Sequence, residues 1–152
     1  MRPSNPSSDD SERGSAALEF IVVGLLLLVP LVYLIVTLGL IQGQSLGAEA
    51  GARHIARAVS NAAGADEAGR QAEQVLASVV REYGLDEAAV SLHMACVPAT
   101  AECPSAGVTV TVTLRTAVSL PLVPPVLGLE RMASIPLEAS GTQKVSRFWG
   151  SE

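Results

Sequence analysis

The sequence predicts an α+β protein with a long N-terminal transmembrane helix, a second amphipathic helix and a small antiparallel sheet of about three strands. Three patterns predict this fold. Residues 20–41 hold 22 positions without a charge, residues 66–83 repeat apolar side chains every three or four positions, and two later stretches alternate apolar with polar residues. The predicted segments are a hydrophilic leader (1–14), a transmembrane helix (15–42), a Gly/Ala-rich helical extension (43–63) and an extracytoplasmic domain (64–152).

Length and charge limit the function. The chain has 152 residues, which leaves room for one small domain beside a membrane segment. Its net charge of −5 argues against a nucleic-acid partner, because such proteins cluster Lys and Arg. The ten basic residues are scattered in the sequence. Lys144 and Arg147, beside Phe148 and Trp149, are interpreted as a solvated C-terminal end.

The leader, residues 1–14, is polar and is predicted to be disordered, because it offers almost nothing to bury. It precedes the apolar run, whereas a secretory signal places a short apolar stretch before its cleavage site. No cysteine near the run could accept a lipid.

The apolar run is long enough to span a bilayer. At about 1.5 Å per residue it makes a helix of about 33 Å, against a hydrocarbon core of roughly 30 Å. Pro30 removes one backbone hydrogen bond and is predicted to kink the helix, a defect that membrane helices tolerate. The alternative is a buried helix of a soluble protein, but the length argues against it.

The motif ERGSAALEF, residues 12–20, joins the leader to the span. Here the chain resembles a prepilin. In that family a membrane peptidase cuts after the glycine on the cytoplasmic side, and the fifth mature residue is a glutamate. The resemblance implies cleavage between Gly14 and Ser15, with Glu19 as the fifth mature residue and Phe20 next to it at the assembly site.

A carboxylate at Glu19 needs a partner, since a charge in hydrocarbon costs at least about 2.5 kcal/mol. Cleavage would create an ammonium at Ser15 that could pair with Glu19 of the same or a neighbouring subunit. The alternative is a carboxylate that only extends to the membrane interface.

Beyond the span, four glycines recur at every fourth position and form a smooth ridge on a helix, where another helix could approach closely. The ridge consists of Gly39, Gly43, Gly47 and Gly51. Each glycine costs roughly 1 kcal/mol relative to alanine, so a helix here requires packing. The alternative is a flexible stalk. The segment AEAGARHIARA resembles the Ala-rich stretch after the membrane helix of TadE-like proteins.

The domain begins with a helix over residues 66–83, which Gly84 is predicted to end. Two half-buried strands follow, and their inward residues are predicted to be Val90, Leu92, Met94 and Cys96, then Val108, Val110, Val112 and Leu114. Residues 120–128 are a proline-broken connection. Residues 131–145 contain a last strand, with Ile135, Leu137 and Ala139 on one face, and Pro136 marks it as an edge strand or a bulge.

Cys96 and Cys103 are close enough in sequence for a local disulfide that would staple a hairpin. A loop of this length would contribute about 2.5 kcal/mol. No metal site is expected, because two cysteines without a nearby histidine cannot complete a zinc shell. Two free thiols remain the alternative.

Orientation is not decided by charge, because Arg2 and Arg13 before the span balance Arg53 and Arg57 after it. A disulfide in the domain would favour a cytoplasmic N-terminus and an extracytoplasmic C-terminal domain.

The sequence predicts no enzyme. His54 and His93 stand alone, and no nucleophile elbow, zinc-protease motif or phosphate loop is present. No catalytic residue, cofactor or small-molecule substrate is expected.

The resemblance to TadE-like minor pilins covers most of the chain and is strongest over residues 13–58. It implies a pilin-like fold and a structural or initiating part of a tight-adherence pilus. The implied partners are the membrane, a prepilin peptidase, other pilin subunits and the assembly platform. Flp major pilins are much shorter, so a minor role is implied. The alternative is a permanently anchored envelope protein that binds a partner through its outer domain.

Overall fold

A computed structural model describes residues 9–99, 101–121 and 133–150, with side chains from Ala16 onward. The predicted α+β class is confirmed. The helices are α1 (Asp9–Asn61) and α2 (Ala65–Tyr83), and the strands are β1 (Ser91–Val97), β2 (Thr109–Ser119) and β3 (Ser134–Lys144). The predicted proline-broken connection at 120–128 lies, beyond Pro121, outside the described residues.

Helix α1 begins earlier than the sequence pattern predicts. Its first residue is Asp9, so the last six residues of the leader are helical and the prediction of disorder is wrong for them. The helix continues through Pro30 and ends at Asn61, so the predicted Gly/Ala-rich extension is helical to that residue.

The chain divides into two compact units, Met1–Leu38 and Gly39–Glu152. In the second unit, α1 packs against α2 at Gly47, next to Tyr83, and at Gly51, next to Val79, and α2 follows after a short turn. Glycine ends α2 as predicted: Gly84 adopts the left-handed conformation (φ 62°), and the Leu85 amide donates to the Val80 carbonyl at 3.0 Å.

The start of α2 is stabilised by side chains of its own first turns. Gln71 Nε2 donates to the Glu67 carboxylate at 2.7 Å, and Arg70 also donates to it. These two hydrogen bonds hold the pKa of Glu67 below its ordinary value. Negative charge at this position also complements the helix N-terminus.

The sheet is antiparallel in the order β1-β2-β3, with β2 in the centre. One face of β2 is fully buried at Val110, Val112 and Leu114, as the alternation predicts. This face contributes to the core with Ile55 and Val59 of α1, whose side chains are also fully buried. Helix α2 adds the buried side chains of Ala68, Ala72 and Val79, so both helices pack against the sheet.

Strand β3 lies at the edge of the sheet, and Pro136 stands opposite Ala117 of β2. The prediction of an edge position is confirmed. Proline is tolerated there because an edge strand needs to donate hydrogen bonds on only one side.

The Cys96 and Cys103 sulfur atoms form a disulfide, with the two Cα atoms 5.6 Å apart. Cys96 lies near the end of β1, opposite Val110, and Cys103 lies in the connection to β2. The bridge therefore closes the loop that leaves β1, instead of joining the two strands of the hairpin to each other.

The sequence analysis predicts no role for Gly141 of β3. A Cβ atom at this position would lie 2.6 Å from the Ala52 carbonyl oxygen and 2.7 Å from the Arg53 Cα. Both are backbone atoms of α1, which cannot move aside as a flexible side chain can. The absence of a side chain at Gly141 thus lets the edge strand lie directly against the helix.

We expect Gly141→Ala to lower the free energy of unfolding by about 1–3 kcal/mol, the usual cost of overpacking. The matched control is Gly69→Ala in α2, where a new Cβ meets no atom within 4 Å. This control is expected to gain about 0.5–1 kcal/mol, because alanine favours helix. Denaturant unfolding of the full chain in detergent can be followed by the fluorescence of Trp149, the single tryptophan. Equal stability of the two variants would contradict the close approach.

Candidate functional site

The motif that resembles a processing and assembly site lies within α1. Gly14 and Ser15 lie inside the helix, and the structure describes side chains only from Ala16 onward. Glu19 and Phe20 follow on the same helix, and both are exposed, Phe20 to 80%. Glu19 is the only charged residue between Ser15 and Ala48.

Most residues of the apolar segment that follows Glu19 are exposed, and Tyr33, Thr37 and Ile41 are half-buried. Ala16–Asn61 is the one helix within the described ranges that is long and apolar enough to cross a membrane, with a mean hydropathy of 2.9 over its most apolar 18 residues. None of that window is buried. Large side chains such as Leu27 (71% exposed) and Leu26 (68%) find no protein partner here. Water is an unfavourable environment for so much apolar surface, and the segment is compatible with a membrane span.

The predicted glycine ridge falls into two pairs. A Cβ added at Gly39 or Gly43 would meet no atom within 4 Å. At Gly47 it would overlap Cγ of Tyr83, and at Gly51 it would lie 2.9 Å from Cγ1 of Val79. The second pair therefore packs against α2 of the same domain, and the first pair is open.

Gln44 marks the boundary between the two pairs. Its Nε2 donates to the carbonyl oxygen of Gly84, just past the end of α2, at 3.1 Å. This bond satisfies a carbonyl that the end of the helix leaves without an intrahelical partner. Thus α2 covers α1 from Gln44 onward, and the predicted packed helix is preferred to the flexible stalk for this stretch.

The structure also brings together basic residues that the sequence analysis treated as scattered. Arg53, His54 and Arg57 line one wall of a groove of about 460 Å³ beside β3. All three side chains are exposed. The available sequence signal was the four-residue spacing of Arg53 and Arg57, which places them on one helix face, but their position next to an edge strand is a tertiary feature.

The other titratable residues of the described ranges do not form a candidate catalytic or metal-binding cluster. His93 is exposed on β1, away in sequence from His54 on α1. Among the described residues, no group of three or more His, Cys, Asp or Glu side chains could hold a metal ion. Cys96 and Cys103 are bonded to each other.

Comparison with protein-family models, with curated proteins and with solved structures gives no match to this chain.

The two glycine pairs predict opposite responses to alanine. We expect Gly47→Ala to destabilise the domain by about 1–3 kcal/mol, because its Cβ would collide with the base of the Tyr83 ring. Gly43→Ala adds the same methyl group one turn away in open space and should not destabilise the helix. Thermal unfolding of both full-length variants in the same detergent measures the difference. A Gly43→Ala variant as unstable as Gly47→Ala would show that the two pairs are not distinct.

Proposed function

We propose that this chain is a minor pilin or pseudopilin of a tight-adherence, type IV-like pilus system. In this proposal α1 crosses the cell membrane once, with the N-terminus in the cytoplasm and the domain outside. A prepilin peptidase removes residues 1–14, and the mature chain becomes a structural or initiating part of the filament, so that it can also become extracellular. Its partners are the membrane, other pilin subunits and the assembly platform.

The observation that carries the proposal is the position of one carboxylate. Glu19 lies five residues after Gly14 and directly before 22 uncharged residues on an exposed helix. A helix anchor alone has no need of a charge there, and an ionised carboxylate in hydrocarbon costs at least about 2.5 kcal/mol. A partner cation would offset this cost, and a new ammonium at Ser15 would be one helical turn away.

The local helix supports processing at this place. Gly14 is the least helix-favouring residue of the junction, and a helical glycine costs roughly 1 kcal/mol relative to alanine. Opening the backbone around Gly14 for a peptidase is therefore less costly than opening the Ala- and Leu-rich stretch that follows.

The exposed segment supports a role in assembly as well as anchoring. Apolar side chains surround the helix between Leu18 and Leu38, and none of them is needed for the folded domain, which lies in the second unit. Such a helix can exchange lipid for the helices of neighbouring subunits, since both environments are apolar. The domain would remain folded during this exchange, because its core is complete within residues 39–152.

Processing tests the proposal directly. Coexpression with the cognate prepilin peptidase should give a mature chain that begins at Ser15, as measured by intact mass. Gly14→Asp should block the cut, because the peptidase of the family cleaves after glycine. Ser8→Asp adds the same charge within the leader without changing the junction and should be processed normally.

An intact leader in the presence of active peptidase would instead favour a permanently anchored envelope protein. An inactive peptidase variant controls for cleavage by other proteases.

The role of Glu19 gives a second test. We expect Glu19→Ala and Glu19→Gln to insert into the membrane and fold normally, because removing a charge from an apolar helix eases insertion. Both should reduce piliation, since both remove the carboxylate that pairs with the mature N-terminus. Pili are counted by electron microscopy at matched protein levels.

Glu82→Gln, an equal change on exposed α2, serves as the control. Normal piliation in both Glu19 variants would refute the proposed pairing. Piliation restored by Gln alone would assign the role to hydrogen bonding and not to charge.

A further inference from the structure

The groove beside β3 combines a cationic wall with an open sheet edge. Helix α1 contributes Ala50, Arg53, His54 and Arg57, and β3 contributes residues 140–143. The groove floor is formed where Gly141 closes against the α1 backbone. The groove lies entirely within the domain and does not depend on how α1 is anchored.

We propose that this groove binds an extended acidic segment of a partner protein, which adds to the sheet alongside β3. The segment would carry Asp or Glu at alternate positions. This interaction goes beyond the proposed part in pilus assembly and would hold for an anchored protein as well.

The charge of the groove favours an acidic occupant. Among the described residues, no Asp or Glu lines it. Arg53 pairs with Glu49 at 3.1 Å, but both side chains are at least half exposed, so this bond contributes only about 0.3–0.5 kcal/mol and can be exchanged. Arg57 makes no ion pair within the described ranges.

The opposite wall favours an extended occupant. In the described sheet β3 has a neighbour on one side only, and Ser140 and Thr142 are exposed. An edge strand presents a row of backbone donors and acceptors that a further strand can pair with. The β3 residues that line the groove carry no charge that would repel such a strand.

The spacing of the two arginines on α1 is close to the spacing of side chains on one face of an extended strand. Arg53 and Arg57 are four residues apart on a helix, which corresponds to about 6 Å along the axis. Side chains on one face of an extended strand repeat at every second residue, about 6.6 Å apart. Acidic side chains at positions i and i+2 of an added strand therefore repeat at nearly the same spacing as the two arginines.

A short acidic segment is favoured over a long polyanion. The chain carries a net charge of −5, so a nucleic acid or an anionic lipid surface would be repelled by the rest of the molecule. The positive charge of the groove is confined to Arg53 and Arg57, which span one helical turn.

The experiment uses the full chain in nanodiscs of neutral lipid and a fluorescent eight-residue peptide that alternates Thr and Glu. Fluorescence anisotropy should show saturable binding that weakens as salt increases. A peptide that alternates Thr and Lys should not bind. Arg53→Gln combined with Arg57→Gln should weaken binding by about tenfold or more. Arg81→Gln, an exposed arginine of α2 outside the groove, should leave it unchanged.

Two further peptides test strand addition. One is N-methylated at every Thr and the other at every Glu, so each loses the backbone donors on one of its two edges. At least one of them should lose binding. Retained binding by both would overturn the proposal in favour of charge attraction alone, and equal binding of the Lys peptide or of the double arginine variant would overturn it entirely.

Sedimentation without peptide distinguishes a second copy as the occupant. Self-association that the double arginine variant abolishes would assign the groove to an interface between copies and refute the partner segment. A monomeric chain that binds the Glu peptide supports binding of a partner segment. Trp149 fluorescence unfolding confirms that each variant is folded.

Discussion

The domain depends on the close approach of helix α1 to its two neighbours between Gly47 and Arg53. On one side, Gly47 and Gly51 let α2 approach so that Tyr83 and Val79 lie where a Cβ would otherwise stand. On another, Gly141 lets β3 lie against the backbone of Ala52 and Arg53. Ala48, Ala52 and Ala56 of the same helix are buried with at most 1% exposure. Because the interior of a small domain tolerates little misfit, the smallness of these residues determines how near the helices and the sheet can lie.

The same helix meets two different requirements along its length. Where it packs into the domain, its residues are small and its closest contacts are backbone and ring atoms. Between Leu18 and Leu38 most of its residues are large, apolar and exposed, which is compatible with a membrane-spanning segment. Gly39 and Gly43 belong to the open part of the series, although the sequence repeats them in register with the packed pair. Gln44, bonded to the end of α2, marks the change between the two.

The net charge of the chain does not show how its charged residues are distributed. The acidic excess of the chain coexists with a local positive wall made by Arg53, His54 and Arg57 beside a sheet edge. The Arg53–Glu49 and Arg115–Glu138 pairs are exposed and contribute little to stability, and Glu67 of the third described pair is half-buried. The stability of the domain therefore comes from its apolar core and its disulfide, and the surface charges remain available for recognition.

The sequence by itself determined most of the elements, because each shows a local pattern of apolar and polar residues. These patterns are the uncharged run of α1, the three- to four-residue repeat of α2 that ends at Gly84, and the alternation of β1 and β2. It also placed Glu19, Gly14 and the cysteine pair. It did not determine the helix start at Asp9, because a polar composition with little to bury predicted disorder for the whole leader. Only the tertiary structure decided which glycines are covered, why β3 needs Gly141, and that scattered arginines share a groove with an edge strand. These features depend on distances between residues far apart in the chain, such as Gly47 to Tyr83 and Ala52 to Gly141, and local patterns carry no information about such distances.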